Sequence, residues 1–170
     1  MECPIVPMTL AADTPDPPPL SPPSAALVRD GHWPHAGVLI VDDEPGMRSF
    51  LAKTLAQCVG RVEVAASAEE AEGLLCRQRF DLVVLDISLP GKTGIAWLQE
   101  LRAQGVGCEV VLITAFADLE TAIETLRTGA SDFILKPFRL TQIANVVLQC
   151  LERALLKREN WVLRRALSQR

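Results

Sequence analysis

The sequence has few of the residues on which common catalytic sites depend. Its only two histidines, His32 and His35, lie in a proline-rich stretch near the amino terminus, which disfavours a histidine-dependent catalytic triad. The chain contains neither a G-x-x-x-x-G-K-[ST] loop nor a G-x-G-x-x-G fingerprint, so the usual nucleotide-binding loops are excluded.

Cysteine usage and hydropathy indicate the cellular compartment in which we expect the protein. The cysteines are odd in number and no two have C-x-x-C spacing, which disfavours a disulfide framework or a zinc site and favours buried thiols. The apolar runs are too short to span a membrane, and the amino terminus does not resemble a secretory signal. We therefore expect a cytoplasmic protein without a membrane segment. The five cysteines are Cys3, Cys58, Cys76, Cys108 and Cys150.

Composition divides the chain into three parts. Residues 1–36 hold nine of the twelve prolines and lack apolar periodicity, which predicts a flexible proline-rich leader. Residues 37–150 are expected to form one domain, and residues 151–170 a helical tail. Residues 1–140 carry 11 basic and 19 acidic residues, whereas residues 141–170 carry 6 basic and 2 acidic, which gives the tail a separate character.

Strand and helix patterns alternate through the central part. Short Val, Ile and Leu runs are typical of strands buried on both faces of a parallel sheet. Right-handed crossovers then predict a flavodoxin-like α/β fold, with strand order 2-1-3-4-5 and helices on both faces. The predicted strands are 38–41, 61–65, 82–85, 109–113 and 133–135. The predicted helices are 45–57, 67–78, 94–104, 119–128 and an extended last helix from residue 140.

The last helix is predicted to be longer than the domain needs. Residues 140–170 contain neither proline nor glycine, so one helix of about 45 Å is possible. Leu156, Asn160, Leu163 and Leu167 follow one another at 4, 3, 4 spacing, which is typical of a short coiled-coil seam with a polar residue in its core. This pattern predicts a homodimer through the tail, and a solvated amphipathic helix end is the alternative.

Polar residues stand at the carboxyl ends of four predicted strands. Asp42 and Asp43 follow the first strand, Asp86 the third, Thr114 the fourth and Lys136 the fifth. In an open α/β sheet these ends meet at the ligand crevice. The topology therefore predicts a site with three carboxylates, one hydroxyl and one ammonium.

This inventory suits phosphoryl transfer to the protein itself. Asp86, at the end of the central strand, is the best candidate nucleophile. Mg²⁺ takes carboxylates and keeps several waters, so we expect it at Asp42, Asp43 and Asp86, with the backbone carbonyl of Ser88 completing the shell. The ammonium of Lys136 and the hydroxyl of Thr114 would contact the phosphoryl oxygens.

The same residues resemble the receiver domain of two-component response regulators over about 36–150. The segments that carry this resemblance are Val41-Asp42-Asp43-Glu44-Pro45, Leu85-Asp86-Ile87-Ser88-Leu89-Pro90-Gly91, Ile113-Thr114-Ala115 and Gly129-Ala130-Ser131-Asp132-Phe133-Ile134-Leu135-Lys136-Pro137-Phe138.

The resemblance implies a phosphorylation switch rather than an enzyme that turns over a separate substrate. A sensor histidine kinase would pass a phosphoryl group to Asp86, with Mg²⁺ at the carboxylates. Thr114 would then move toward the phosphoryl group and Phe133 would change rotamer. This coupling would alter the face formed by the fourth helix, the fifth strand and the last helix. The resemblance also implies a cis Lys136–Pro137 bond.

The tail suggests how the switch is used. Residues 155–165 resemble the linker helix between the receiver and ATPase domains of NtrC-like activators of sigma-54 transcription, which implies control of transcription through an output domain. Both a fragment of a longer regulator and a natural short protein fit the sequence. The alternative function is a stand-alone receiver that acts by phosphorylation-dependent binding of a partner protein.

Three further expectations concern competing functions and the lifetime of the phosphoryl group. An aspartate-nucleophile phosphatase needs a carboxylate two residues after the nucleophile, and Ser88 occupies that position. The basic tail offers five arginines, but direct DNA binding is disfavoured because basic helix faces are usually solvated. A bulky Phe116 beside the site predicts a long-lived aspartyl phosphate, since it would hinder the attacking water.

Overall fold

The computed structural model describes residues 32–115, 120, 123–124 and 127–168. Nine regular elements alternate along these residues. The strands are β1 Trp33–Val41, β2 Val59–Ala65, β3 Leu82–Asp86, β4 Glu109–Thr114 and β5 Asp132–Leu135. The helices are α1 Pro45–Leu55, α2 Ala68–Arg77, α3 Gly94–Ala103 and the C-terminal helix Leu140–Ser168.

The five strands form one parallel sheet in the order β2-β1-β3-β4-β5. This confirms the predicted flavodoxin-like fold. The winding direction reverses beside β1 and β3, so the carboxyl ends of these two neighbouring strands border the crevice. Every residue of β3 and β4 is buried, as the continuous apolar runs predict for central strands.

Alternate residues of each strand contribute to two separate apolar cores. Leu39 and Val41 of β1 face one core, which includes Trp97 and Leu98 of α3. Val38 and Ile40 face the other core. Leu51 and Leu55 of α1 and Ile143, Val147 and Leu151 of the C-terminal helix complete that second core.

Local sequence signals set the helix starts. Ser67 Oγ accepts a hydrogen bond from Glu70 N at 3.2 Å and caps the start of α2. Thr93 Oγ1 accepts from Ala96 N at 3.2 Å at the start of α3. Pro45 occupies the first turn of α1, where a missing N–H costs no hydrogen bond.

The predicted boundary of the leader was wrong at its carboxyl end. β1 begins at Trp33 rather than at Val38, because Trp33 N donates to Cys58 O at 2.6 Å and extends the pairing with β2. A Cβ at Gly60 would lie only 1.8 Å from the Pro34 carbonyl oxygen, so this extension depends on glycine. His35 therefore lies in a strand, where it is exposed.

The C-terminal helix is continuous from Leu140 to Ser168, as predicted. Its first half is buried against the sheet, whereas its second half exposes large apolar side chains. The exposed fractions are 52% for Leu156, 59% for Trp161, 61% for Leu163 and 71% for Leu167. The predicted fourth helix, 119–128, falls mostly outside the described residues. Within that range, residues 120, 123, 124 and 127 are described as helical. Within the part of the chain described, no helix is long and apolar enough to span a membrane.

Candidate functional site

The crevice brings together the three carboxylates that the sequence placed at strand ends. Asp42 and Asp43 follow β1, and Asp86 is the last residue of the neighbouring β3. One carboxylate oxygen from each of the three lies within 4.8 Å of the others. Three negative charges this close favour a bound cation.

One carboxylate oxygen of Asp42 accepts a hydrogen bond and the other accepts none from the described part of the chain. Its Oδ1 accepts a hydrogen bond from Glu44 N at 2.8 Å. Its Oδ2 is buried and accepts no hydrogen bond from any described residue. Burial raises the pKa of this carboxyl, with the charge of Asp86 adding to the rise, although the Glu44 N–H and Lys136 oppose it. A buried carboxylate oxygen without a donor, beside two further carboxylates, fits a hard divalent cation.

Lys136 supplies the positive charge from the other side of the crevice. Its Nζ lies 2.8 Å from Asp86 Oδ2 and 3.6 Å from Asp42 Oδ2. Burial acts to lower the pKa of this ammonium, but the hydrogen bond and charge of Asp86 outweigh burial and raise it. Lys136 is therefore held in its charged form. The Lys136–Pro137 bond is cis, as the resemblance implied.

Asp86 is held at both of its oxygens. Ser88 N donates to Oδ1 at 2.8 Å, and Lys136 Nζ donates to Oδ2. The start of α3 packs against the same residue, because a Cβ at Gly94 would lie only 2.2 Å from the Asp86 carbonyl oxygen. The carboxylate is therefore fixed by one side-chain contact, one turn N–H and the close approach of a helix.

The remaining predicted residues lie around this centre. Thr114 ends β4 and is buried, and its carbonyl oxygen accepts from Lys136 N at 2.8 Å. Phe133 of β5 is half-buried against the core that contains Trp97. Phe116 lies outside the described residues, so the expectation about its effect on the phosphoryl lifetime stays a prediction.

Two residues that shape the site were missed by sequence reasoning. Gly94 was assigned only as a helix start, although a glycine directly after a strand-end loop is a signal for close backbone approach. Arg48 of α1 donates from Nη1 to the Asp42 carbonyl oxygen at 2.6 Å. This hydrogen bond depends on how α1 packs beside β1, so no local sequence motif predicts it.

Residues 38–148 match the response regulator receiver domain family. The chain belongs to this family. Receiver domains accept phosphoryl groups from histidine kinases.

Related receivers belong to longer regulators. The chain is 37% identical over 131 residues to the regulatory protein AtoC of Escherichia coli strain K12, covering 77% of this chain and 28% of AtoC. It is 35% identical over 133 residues to the C4-dicarboxylate transport transcriptional regulatory protein DctD of Pseudomonas aeruginosa, covering 78% of this chain and 29% of DctD.

A solved structure supports the same assignment. The crystal structure of NtrX from Brucella abortus superposes with a TM-score of 0.71 at 36% identity, covering 76% of this chain and 30% of NtrX. Across the curated relatives compared, this receiver chain spans between 25% and 50% of the relative's length.

Proposed function

We propose that this receiver takes a phosphoryl group onto Asp86 from a phosphohistidine of a sensor kinase and thereby controls transcription. The observation that carries the proposal is the position of the Asp86 carboxylate. Its Oδ2 lies 2.8 Å from the ammonium of Lys136, and one of its oxygens lies within 4.8 Å of an oxygen of each of Asp42 and Asp43. A phosphoryl group arriving there meets both a cation and a candidate metal site.

The transfer needs no base from this chain, because the attacking group is a carboxylate oxygen, which unlike a hydroxyl carries no proton to remove. A lone pair of an Asp86 oxygen attacks phosphorus and forms the new O–P bond. The P–N bond to the kinase imidazole breaks, and its electron pair stays on the imidazole nitrogen. The product is an acyl phosphate on Asp86, and the kinase histidine leaves unphosphorylated.

Asp42, Asp43 and Asp86 would hold Mg²⁺, and the Ser88 backbone carbonyl would complete the set of protein ligands. The buried oxygen of Asp42 that accepts no hydrogen bond from a described residue supports this assignment, as does the all-oxygen donor set. When bound, the ion supplies positive charge to the phosphoryl oxygens and offsets the repulsion among the carboxylates.

Lys136 and Thr114 would recognise the transferred group. The Lys136 ammonium would exchange its ion pair with Asp86 for contacts to the phosphoryl oxygens. The Thr114 hydroxyl, at the end of β4, would donate a further hydrogen bond. A rotamer change of Phe133 would accompany movement of Thr114, and both would alter the face that the receiver resemblance assigns to the fourth helix, β5 and the C-terminal helix.

The output would be transcriptional, through an output domain or a partner protein that reads this face. The curated relatives include a transcriptional regulator of which this chain spans 29%. A stand-alone receiver that binds a partner protein remains the alternative function.

The C-terminal helix would pair with the same helix of a second copy. The side chains of Leu156, Asn160, Leu163 and Leu167 share one stripe, and all four residues are exposed in the single chain. Burying such a stripe against its copy removes apolar area from water, and Asn160 in the stripe favours a two-stranded parallel register.

Phosphorylation is tested with a small phosphoramidate, which carries the same P–N bond as phosphohistidine, in the presence of Mg²⁺. We expect one phosphoryl group per chain, released by hydroxylamine as an acyl phosphate is. Asp86→Asn should abolish it. Asp132→Asn is the matched control, because Asp132 starts β5 at the opposite end of the sheet, and it should label normally.

Molar mass from light scattering, with Mg²⁺ and beryllium fluoride as a phosphoryl mimic, tests the dimer separately. A monomer under all conditions would reject pairing through the tail. Hydroxylamine-stable label, or equal label in Asp86→Asn, would reject phosphoryl transfer to Asp86.

A further inference from the structure

A buried carboxylate that the phosphoryl chemistry does not use lies at the opposite end of the sheet. Glu109 is the first residue of β4, and only 3% of its surface is exposed. Acidic side chains are almost never fully buried unless they are paired. The partners of Glu109 therefore show which other elements are attached to this end of the sheet.

Both oxygens of Glu109 are occupied by residues from later in the chain. Lys157 Nζ, from the C-terminal helix, donates to Oε1 at 2.5 Å. The Ser131 hydroxyl, just before β5, donates to Oε2. Arg153, one turn before Lys157, donates to the Ser131 carbonyl oxygen at 3.2 Å. Two residues of the C-terminal helix are thus tied to the amino ends of β4 and β5.

The two members of the ion pair differ in exposure. The side chain of Lys157 is 70% exposed, whereas that of Glu109 is 3% exposed. An open cavity of about 560 Å³ borders the pair. The lysine therefore reaches from solvent to a buried carboxylate. Loss of Lys157 would leave a buried charge with less compensation, which costs more than loss of an ordinary surface pair.

We infer that Glu109, Ser131 and Lys157 form a latch that fixes the C-terminal helix to the receiver as far as residue 157. The apolar contacts of this helix in the second core end at Leu151. Without the latch, Arg153 would still be bound to Ser131, and the helix would be free to swing beyond residue 153. With it, only the residues after 157 extend beyond the receiver.

The latch determines where the dimerising segment begins. Leu156, the first residue of the proposed seam, directly precedes Lys157 and lies on a different face of the helix. One face is held by its own receiver while the other is open to a second copy. The dimer would therefore hold two receivers at a fixed angle, without a hinge between receiver and paired helices. This last consequence rests on the proposed dimer, whereas the latch itself is a property of one chain.

Hydrogen–deuterium exchange of the whole chain tests the latch. The test uses dilute protein without Mg²⁺ or a phosphodonor, so that neither phosphorylation nor pairing enters the result. Lys157→Met should speed exchange of the amides of residues 152–160 about tenfold, while those of β1 and β3 stay unchanged. Arg158→Met is the matched control, because Arg158 is the exposed neighbour on the same helix.

A second variant separates loss of the pair from loss of helix propensity. Glu109→Gln combined with Lys157→Gln replaces the ion pair by two amides that can hydrogen-bond, and should restore part of the protection. Unchanged exchange in Lys157→Met, an equal change in Arg158→Met, or faster exchange throughout the sheet would each overturn the latch. None of these results bears on whether Asp86 is phosphorylated.

Discussion

The ammonium of Lys136 lies 2.8 Å from Asp86 Oδ2, although the two residues come from strands separated by β4. This contact joins the cation and the candidate phosphoacceptor across the width of one strand. It also places Lys136 3.6 Å from Asp42 Oδ2, so one lysine partly neutralises two buried carboxylates.

Replacing Lys136 should destabilise the metal-free protein. In Lys136→Gln, the buried carboxylates of Asp42 and Asp86 lose their nearest cation, and we expect a loss of about 2 kcal/mol in the free energy of unfolding. Mg²⁺ should recover much of this loss by taking over the neutralising role. Urea unfolding with EDTA and with Mg²⁺ measures both effects. Lys53→Gln, on the exposed side of α1, is the control and should change neither value.

Replacing Asp42 should have the opposite effect on the metal-free protein. Its pKa is raised by burial and by the charge of Asp86, so the folded protein binds a proton at Asp42 more readily than the unfolded chain does. At neutral pH the ionised form therefore costs stability, and stability should rise as pH falls toward the raised pKa.

Asp42→Asn removes this cost and should stabilise the metal-free protein by about 1 kcal/mol, the order expected for one poorly paired buried group. It should also remove the stabilisation by Mg²⁺. Urea unfolding at pH 7 with EDTA checks the first effect, and a Mg²⁺ titration of the midpoint checks the second. A destabilised variant that still responds fully to Mg²⁺ would contradict both expectations.

Gly94 and Gly46 provide a matched pair of glycine-to-alanine changes. A Cβ at Gly94 would lie 2.2 Å from the Asp86 carbonyl oxygen, whereas a Cβ at Gly46 would approach nothing closer than the Glu44 side chain at 3.8 Å. We expect Gly94→Ala to lose about 1–3 kcal/mol of stability through forced backbone shifts. Gly46→Ala, within α1, should gain about 0.5–1 kcal/mol.

The two substitutions should also differ in their effect on the rate of Asp86 phosphorylation. Gly94→Ala displaces the backbone that carries Asp86 and should slow its phosphorylation, whereas Gly46→Ala should leave the rate near that of the parent chain. Thermal unfolding and the labelling time course measure the two effects. Equal rates in both variants would show that the close approach of α3 does not position the carboxylate.

Acid should weaken the contact between Glu109 and Lys157. Burial acts to raise the pKa of Glu109, but hydrogen bonds from Lys157 and Ser131 outweigh burial and lower it, with Arg153 adding to the effect. A carboxyl with a depressed folded pKa contributes stability above its unfolded pKa, about 4.5 here, and loses it as pH falls through the folded pKa.

The stability difference between the parent chain and Lys157→Met measures this contribution. We expect the difference to be full at pH 6–7 and to shrink below about pH 4.5. Urea unfolding across this range checks it, with Arg158→Met as the reference. A difference that is independent of pH would mean that Lys157 stabilises the protein by packing alone.

The sheet and its crevice were predictable because they rest on patterns of the chain itself. The apolar runs of β1, β3 and β4 are buried on both faces and therefore carry an unmistakable signal. Parallel strands then oblige Asp42, Asp86 and Lys136 to meet at one edge.

The contacts made between separate elements were not predictable. Trp33 lies in a proline-rich stretch, and its pairing is set by the backbone of Cys58 rather than by any local propensity. Phe50 of α1 is 41% exposed, whereas its neighbours Leu51 and Leu55 are fully buried, and the apolar character of the three residues does not distinguish them. The sequence indicated Glu109 only as the polar first residue of a strand. Its partner Lys157 is 48 residues away, so no local pattern predicted their contact.

β4 links the two functional ends of the molecule. Thr114 closes the strand beside Asp86, and Glu109 opens it beside Lys157. The strand has six residues, so these ends are about 16 Å apart at 3.3 Å per residue. All six are buried, and β4 lies between β3 and β5 in the sheet. Close-packed interiors have low compressibility and transmit displacements. A displacement at Thr114 would therefore be transmitted along the β4 backbone to Glu109. The contact between Glu109 and Lys157 would pass it on to the C-terminal helix.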